Sequence, residues 1–299
     1  MKNQKGSGQE FGGNWTQQKL AILREYLSPY ARILHKQRLS FAYIDAFAGT
    51  GYRTTSNSDP SDNLDLLDQS PNQESKHFLE GSAALALSIE PHFPTLIFIE
   101  KSAAKLAQLR QLVDKHHKSR NVIFKEGDAN IALRSLCVAN WSKHRAVLFL
   151  DPFGMQIKWP TIEAIAATKG IDLWLLFPMG VAVNRMLVRN GQIPDQWRNQ
   201  LNELFGATDW YDAFYAPSRT TSLFGDEIPL EKTATFESIV DYFLKRLRTV
   251  FAGVATTPAL LKNSKGNPLY ALFFAAGNPN AAATAVKIAN SILRKFNHG

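Results

Sequence analysis

Cysteine is nearly absent from this sequence, since Cys137 is the single cysteine among 299 residues. One thiol excludes an internal disulfide framework and a zinc cluster built from several thiolates, because both need more than one cysteine. The adjacent His116 and His117 face different sides of a helix and lack the spacing of a metal-binding pair. We therefore expect no metal site. Because Cys137 lies in an apolar helical stretch, a buried structural thiol is favoured over a nucleophile.

Long apolar runs are missing as well. No run approaches the ~18 apolar residues that a membrane span needs, and the start, MKNQKGSGQEFGGN, lacks the apolar segment of a secretory signal. The Gly-x-Ser-x-Gly elbow and the His-Glu-x-x-His pair are also absent. We expect a cytoplasmic protein that has no membrane partner.

The excess of positive charge lies at the two ends of the chain. The formal net charge is +8, from 34 Lys+Arg and 26 Asp+Glu. Residues 1–40 carry +5, residues 240–299 carry +7 and residues 41–239 carry −4. This distribution favours a nucleic-acid partner, RNA or DNA, whose backbone the ends would hold while the acidic middle carries the chemistry. Lys245, Arg246 and Arg248 are a candidate phosphate-binding face, although a solvated helix face is the commoner meaning of such a cluster.

Short apolar runs alternate with helical stretches, which predicts an α/β fold with a doubly wound, Rossmann-like, mostly parallel sheet. An amphipathic helix over Trp15–Lys36 precedes the alternation. The predicted strands are Phe41–Ile44, Leu96–Ile99, Val122–Phe124, Val147–Leu150 and Leu173–Phe177. The predicted helices between them are Ala83–Ile89, Ala103–His116, Ile131–Ala139 and Thr161–Thr168.

We predict one domain over residues 14–299, after a flexible start over residues 1–13. The polar segment 52–80 is far longer than the usual ~2–6-residue βα loop, so it is predicted as an insertion or a lid. A mainly helical insertion is expected over about 184–249. Its helices would be Asn184–Phe205 and Phe236–Thr249, with an irregular aromatic excursion, Gly206–Lys232, between them. Strands Val250–Thr256 and Leu269–Ala275 and a closing helix, Ala281–Phe296, predict an antiparallel edge of the sheet.

A glycine turn follows the first predicted strand, in the segment from Asp45 through Phe47 to Gly49 and Gly51. Glycines there let the backbone approach a ligand at the edge where such sheets bind nucleotides. The dinucleotide fingerprint is disfavoured, because Thr54 stands where it needs Gly or Ala and a long insertion follows. A turn required by geometry alone is the alternative.

Carboxylates follow the second and third strands. Glu100 is placed to accept hydrogen bonds from both ribose hydroxyls of an adenosine cofactor, unless it is only a solvated charge. Asp128 has two equally supported interpretations: it accepts a hydrogen bond from an adenine amino group, or it caps the following helix.

The fourth strand ends in Asp151-Pro152-Phe153-Gly154. The Asp151 carboxylate and the Pro152 carbonyl are acceptors for an exocyclic amine, which would raise electron density on its nitrogen as it attacks a methyl group. Phe153 offers a face on which a flipped base could stack. A strand-ending Asp-Pro turn is the structural alternative.

This series of motifs resembles the class I S-adenosylmethionine-dependent methyltransferases, and more closely the three-Cys-motif partner proteins, a prokaryotic methyltransferase-like family. The resemblance covers most of residues 14–180. It is carried by the Trp15/Lys19/Leu20/Tyr26 helix pattern, the Asp45–Gly51 turn, Gly81-Ser82, Ile99-Glu100 and Leu150–Gly154.

The resemblance implies a class I methyltransferase fold that binds S-adenosylmethionine. Asp45, Phe47, Gly49, Gly51, Glu100 and Asp128 would line the cofactor, and Asp151, Pro152 and Phe153 would form the catalytic site for the methyl acceptor. The acceptor would be an amine of a nucleic-acid base. A three-Cys-motif protein is the implied partner, because this chain has a single cysteine.

Two features depart from the usual patterns. Amino-methylating enzymes that act on adenine carry Asp/Asn-Pro-Pro-aromatic, and Asp-Pro-Phe-Gly looks more like the tRNA guanine N2-dimethyltransferases. The insertion after Gly51 separates the glycine turn from the first helix. The alternative function is a non-catalytic methyltransferase-fold module that binds nucleic acid or a partner protein, with an oxidoreductase a distant third.

Overall fold

The computed structural model of this protein describes residues 14–48, 81–218 and 230–297. The predicted flexible start, the glycines Gly49 and Gly51 and the predicted insertion 52–80 all lie outside these residues.

Five parallel strands form the centre of the sheet, as the alternation of apolar runs predicts. Their order is β3-β2-β1-β4-β5. This is the doubly wound order, in which β2 and β3 are added on one side of β1 and β4 and β5 on the other side. The strands are β1 (Ser40–Asp45), β2 (Thr95–Glu100), β3 (Val122–Glu126), β4 (His144–Leu150) and β5 (Ile171–Phe177). Every residue of β5 is buried, as a central strand covered on both faces requires.

Helices of this alternating unit cover both faces of the sheet. The apolar side chains form two cores, one on each face. The helices are α1 (Asn14–Gln37), α2 (Ser82–Leu87), α3 (Ala103–His116), α4 (Ala129–Cys137) and α5 (Trp159–Ala167). α4 begins and ends two residues earlier than the predicted Ile131–Ala139, because Asp128 caps it.

The sheet continues beyond β5 with antiparallel pairing, which confirms the predicted antiparallel edge. β10 (Pro268–Ala276) pairs with β5 and carries β8 (Gly253–Val254) on its far side and β9 (Ala259–Lys262) along its first half. The predicted strand Val250–Thr256 is wrong in extent, because Val250 ends a helix and Phe251 N still donates to Leu247 O. β9 is not among the predicted strands.

The insertion after β5 is mainly helical, but the predicted continuous helix Asn184–Phe205 is interrupted. Gly191 has φ of +72° and lies in the turn that breaks it. The described elements are a π-helical turn (Met179–Val183), α6 (Asn184–Met186), α7 (Asp195–Phe205), α8 (Trp210–Phe214), β6 (Tyr215–Pro217), β7 (Leu230–Lys232) and α9 (Phe236–Val250).

The described aromatic residues of this insertion pack together. Trp210 and Phe214 are buried and contact Phe205. These two rings therefore belong to the hydrophobic core and do not form a base-stacking surface. Arg246 donates to the carbonyls of Phe205 and Gly206 and lies over the Trp159 ring. Arg246, the central residue of the candidate phosphate-binding face, therefore has a structural role.

The two basic ends of the chain meet in the fold. α10 (Ala282–Asn297) packs against α1. Gln18 Nε2 donates to Phe296 O at 3.1 Å, and Lys295 Nζ donates to Glu25 Oε2 at 2.9 Å. The basic helices α1 and α10, which are far apart in the sequence, are thus neighbours in the fold.

A buried carboxyl ties α1 to the amino end of β5. Asp172 accepts hydrogen bonds from Tyr26 OH and from Gly277 N, both at 3.0 Å. Burial raises the pKa of Asp172 from 3.8 to about 6. Gly277 fits here because a Cβ on it would lie 2.3 Å from Ile171 O.

None of the helices in the described residues is both long enough and apolar enough to cross a membrane. Within the same residues, no group of three or more His, Cys, Asp or Glu side chains is arranged to hold a metal ion.

Candidate functional site

The strand register brings the predicted site residues to one edge of the sheet. Asp45 pairs with Phe98 of β2 and with Phe149 of β4. Glu100 and Asp151 therefore stand two residues beyond the partners of Asp45 on the neighbouring strands. The carboxyl ends of parallel strands meet at the edge where doubly wound sheets bind their ligands.

Asp45 is fully buried, and its carboxylate accepts three hydrogen bonds from other groups of the chain. Ser82 Oγ donates to Asp45 Oδ2 at 2.6 Å, Tyr43 OH donates to the same oxygen at 3.3 Å and Phe47 N donates to Oδ1 at 3.2 Å. Burial raises the pKa of Asp45 to about 6, and the negative charge of Asp151 also raises it. Asp45 thus joins the end of β1 to the start of α2, and Phe47 is fixed by the same carboxylate.

Asp151 forms an ion pair with Lys19 of α1. The Lys19 side chain is 9% exposed and that of Asp151 is 27% exposed, so the pair lies at the edge of the core. The Lys19 ammonium also lies 5.2 Å from the centroid of the Trp15 ring. The first helix therefore reaches over the sheet and fixes one oxygen of the carboxylate that follows β4.

Glu100 is held at the end of β2 by the start of the next helix. Glu100 Oε1 accepts a hydrogen bond from Ser102 N at 2.8 Å, and Glu100 O accepts one from Gly127 N at 3.1 Å. Gly127 has φ of +139°, and a Cβ built there would meet no atom of the described chain within 4 Å. Open space therefore lies beside the ends of β2 and β3.

Asp128 caps α4, as one of its two interpretations predicts. Its Oδ1 accepts from Asn130 N at 2.9 Å and from Ile131 N at 3.2 Å. The same turn leaves Ile131 74% exposed, which is unusual for a large aliphatic side chain. The cap occupies Oδ1 and sets an exposed apolar side chain beside this carboxylate.

Phe153 stands at the outer surface of the same edge. It is 48% exposed, and the Lys105 ammonium of α3 lies 5.7 Å from its ring centroid. The loop after Gly154 is fixed by Asn130, which donates to Gln156 O at 2.8 Å and accepts from Lys158 N at 3.0 Å. The Pro152–Lys158 segment is thus anchored on α4, with Phe153 directed towards the β2 side.

Two surface depressions in the described residues lie away from this edge. One, of about 370 Å³, is lined by Trp159, Asn202 and Gly206 among others. The other, of about 480 Å³, is at the amino edge beside Cys137, whose thiol pKa burial raises to about 11. Neither contains a predicted site residue, and we place the site at the carboxyl edge because the carboxylates converge there.

No protein-family model and no curated protein matches the chain. Among solved structures, a Legionella pneumophila protein of the DUF519 family is 13% identical, with TM-score 0.45, covering 97% of this chain and 95% of that one. S-adenosylmethionine-dependent methyltransferases from Clostridium acetobutylicum and Methanosarcina mazei are 11% and 13% identical, with TM-scores of 0.34 and 0.31. The match to the Clostridium acetobutylicum protein covers 85% of this chain and 92% of that one. The match to the Methanosarcina mazei protein covers 81% of this chain and 94% of that one.

Those identities and TM-scores give this chain no activity and no residue role. The fold class follows from the strand order. A 3-2-1-4-5 parallel sheet extended by an antiparallel strand is the Rossmann-like arrangement of the class I methyltransferases. The predicted fold class is confirmed.

Sequence reasoning about function misses two residues that hold the site. From the sequence, Lys19 is identified only as part of the α1 helix pattern and Ser82 only as part of the Gly81-Ser82 motif, and no contact is assigned to either residue. A lysine on the apolar side of an amphipathic helix is the available signal, since a buried lysine requires a partner. The sequence does not identify that partner, because Lys19 and Asp151 are 132 residues apart.

Proposed function

We propose that this protein is an S-adenosylmethionine-dependent methyltransferase that acts on an amine of a nucleic-acid base. One observation carries the proposal: the carboxylates of Glu100, Asp128 and Asp151 come together at the carboxyl edge of the sheet, at the ends of β2, β3 and β4. This arrangement supplies separate positions for a nucleoside cofactor and for an amine.

The residues beside β2 and β3 fit the adenosine part of the cofactor. Glu100 would accept hydrogen bonds from the ribose hydroxyls, and Asp128 would use the oxygen that does not cap α4 to bind the adenine amine. The exposed Ile131 side chain offers an apolar surface for the adenine face, and the open space at Gly127 leaves room for it. When bound, S-adenosylmethionine supplies an electrophilic methyl group.

Asp45 and Phe47 would act on the cofactor side through the turn that follows β1. We propose that Asp45 shapes this turn, since its oxygens are taken by Ser82, Tyr43 and Phe47 N. Gly49 and Gly51 remain proposed cofactor residues on the strength of the sequence motif.

Asp151 and Pro152 would bind the acceptor amine. Lys19 holds Asp151 Oδ2, so the other carboxylate oxygen and the Pro152 carbonyl would accept the two N–H groups and aim the nitrogen lone pair at the methyl group. Phe153 would stack on the base. Methyl transfer is an in-line displacement, so alignment supplies most of the rate enhancement that such a site can give.

Calorimetric titration with S-adenosylmethionine tests the cofactor, and transfer of a labelled methyl group to RNA or DNA tests the reaction. Asp151→Ala should abolish transfer while cofactor affinity stays within about tenfold, a change of about 1.4 kcal/mol. Asp241→Ala, at an exposed site on α9, is the matched control. Absence of cofactor binding rejects the enzyme, and equal loss of binding and transfer in Asp151→Ala makes this carboxylate structural.

A non-catalytic module is the second candidate, and the Lys19–Asp151 ion pair favours it. A carboxylate already bound to an ammonium has less capacity left for a substrate amine. Nucleic-acid or protein binding that proceeds without cofactor affinity would support this alternative.

The membership in the three-Cys-motif partner proteins is also a proposal. It rests on the motifs that surround Lys19, Asp45, Ser82, Glu100 and Asp151. Co-expression with a three-cysteine-motif protein, followed by size-exclusion chromatography, tests it through formation of a stable complex, and separate elution of the two chains would count against it.

A further inference from the structure

We propose that a single-stranded nucleic acid binds across the start of α1 and the β9–β10 hairpin, on a surface formed by Trp15, Tyr270, Lys262 and Lys265. We name this the hairpin surface. It would hold the nucleotides that flank the target base. The role given to this surface rests on the proposed function, because it presumes a nucleic-acid substrate. The binding experiments that test it do not require methyl transfer.

The first observation is an aromatic pair beside the proposed acceptor carboxylate. The Trp15 and Tyr270 ring centroids are 4.9 Å apart with an interplanar angle of 31°. Both side chains are only half-buried. Trp15 also contacts the Lys19 ammonium, which is paired with Asp151. A partly exposed ring pair next to the proposed acceptor site is suited to stacking bases without sequence preference.

The strand order places this pair on the acceptor side of Asp151. Ala271 pairs with Phe177, so Tyr270 lies just beyond the carboxyl end of β5. Glu100, the proposed cofactor residue, ends β2, which is on the other side of β1 from β4. Phe153 is directed towards that side by its contact with Lys105. A strand that crosses Asp151 would therefore meet Phe153 on one side and the Trp15–Tyr270 pair on the other.

The second observation is the charge of the hairpin. Lys262 pairs with Pro268 at the carboxyl end of the sheet, and both Lys262 and Lys265 are exposed. The turn is fixed, because Asn263 Oδ1 accepts from Lys265 N and from Asn267 N, both at 3.0 Å. The sequence contains no Asp or Glu after Asp241. The hairpin therefore sets two cations beside the aromatic pair, where phosphates that flank a stacked base would lie.

Salt dependence tests the lysines. Affinity for a dye-labelled single-stranded RNA of mixed sequence would be measured by anisotropy over a salt series. Removing one phosphate contact lowers the slope of log affinity against log salt by about 0.7 for a single strand, so Lys262→Gln with Lys265→Gln should lower it by about 1.4. Arg32→Gln with Lys36→Gln is the control. It removes the same charge from exposed positions that lie about 20–26 Å along α1 from Lys19, at about 1.5 Å per residue.

Equal slopes in the two double variants would overturn the proposal, as would absence of RNA and DNA binding in the unmodified chain. If the hairpin variant loses binding to polyglutamate but keeps RNA affinity, the surface binds an acidic protein instead. A cofactor titration run in parallel separates failure of this surface from failure of the proposed enzyme.

Aromatic substitutions test the stacking. Trp15→Leu and Tyr270→Leu should each weaken RNA binding by about tenfold or more, and Trp15→Phe should restore most of it. Because Trp15 also packs α1 on the sheet, thermal melting controls for folding. RNA should quench tryptophan emission less in Trp15→Phe than in the unmodified chain. Equal quenching in a folded Trp15→Phe variant would show that no base reaches this ring.

Discussion

The carboxyl of Asp172 should make stability depend on pH, and Asp172→Asn should remove that dependence. Asp172 lies at the amino end of β5, away from the proposed site, so its effect on folding is separable from any effect on catalysis. Its pKa is 3.8 in an exposed chain and about 6 in the folded protein, because burial disfavours the charged form. The folded state therefore binds more protons between about pH 4 and 6 than the unfolded state does.

As a result, the free energy of unfolding falls as pH rises through this window. At about 1.4 kcal/mol per pH unit of pKa difference, the full effect is about 3 kcal/mol, most of it developed by neutral pH. Asp172→Asn keeps an acceptor oxygen for Tyr26 OH or Gly277 N and carries no charge. Its stability relative to the unmodified protein should therefore improve by about 2–3 kcal/mol between pH 4 and pH 7.

Urea denaturation followed by circular dichroism at several pH values measures this difference. Asp241→Asn, at an exposed position of α9, controls for the general effect of removing one carboxylate and should show a much smaller trend. A stability difference between Asp172→Asn and the unmodified protein that stays constant over the whole pH range would refute the reasoning. The burial of Asp172 would then carry no ionisation cost.

Three further predictions concern the site and the packing. Asp45→Asn should likewise flatten stability between about pH 4 and 6, because the pKa of Asp45 is also raised to about 6, and unchanged pH profiles in denaturation would contradict this. Lys19→Met should lower the methyl-transfer rate by about a hundredfold through loss of alignment, with cofactor affinity in calorimetry nearly unchanged, and a proportional loss of both would exclude a positioning role. Gly206→Ala should destabilise the fold by about 3 kcal/mol, because φ is +63° and a Cβ would lie 2.0 Å from the Trp159 ring. Gly266→Ala, with φ of +79° and nothing within 4 Å, should cost only about 1–2 kcal/mol, and equal losses in the two variants would refute the packing argument.

The parallel part of the sheet could be predicted because each strand is a short apolar run that ends in a turn or a carboxylate. The positions of Asp45, Glu100 and Asp151 at one edge follow from that parallel order, and the register confirms them as neighbours. Asp128 leaves two interpretations open in the sequence, and the hydrogen bonds from Asn130 N and Ile131 N establish the cap.

Other features depend on contacts between distant parts of the chain, which no local pattern records. Lys19 and Asp151 form an ion pair although 132 residues separate them, and Tyr26 donates a hydrogen bond to Asp172 across a separation of 146 residues. The aromatic excursion is ambiguous in the sequence for the same reason. Its composition suits both a stacking surface and a core, and only the contact of Trp210 with Phe205 decides for the core.

The contact between α1 and α10 has a consequence for the order in which parts of the chain fold. Gln18 and Phe296 are separated by 278 residues, so α1 gains part of its packing surface from a segment that is far away in the sequence. Because contacts of such separation form late, we expect α1 and α10 to pack together only after the parallel strands have paired. A chain shortened before α10 should therefore still form its parallel strands but pack α1 less firmly on the sheet.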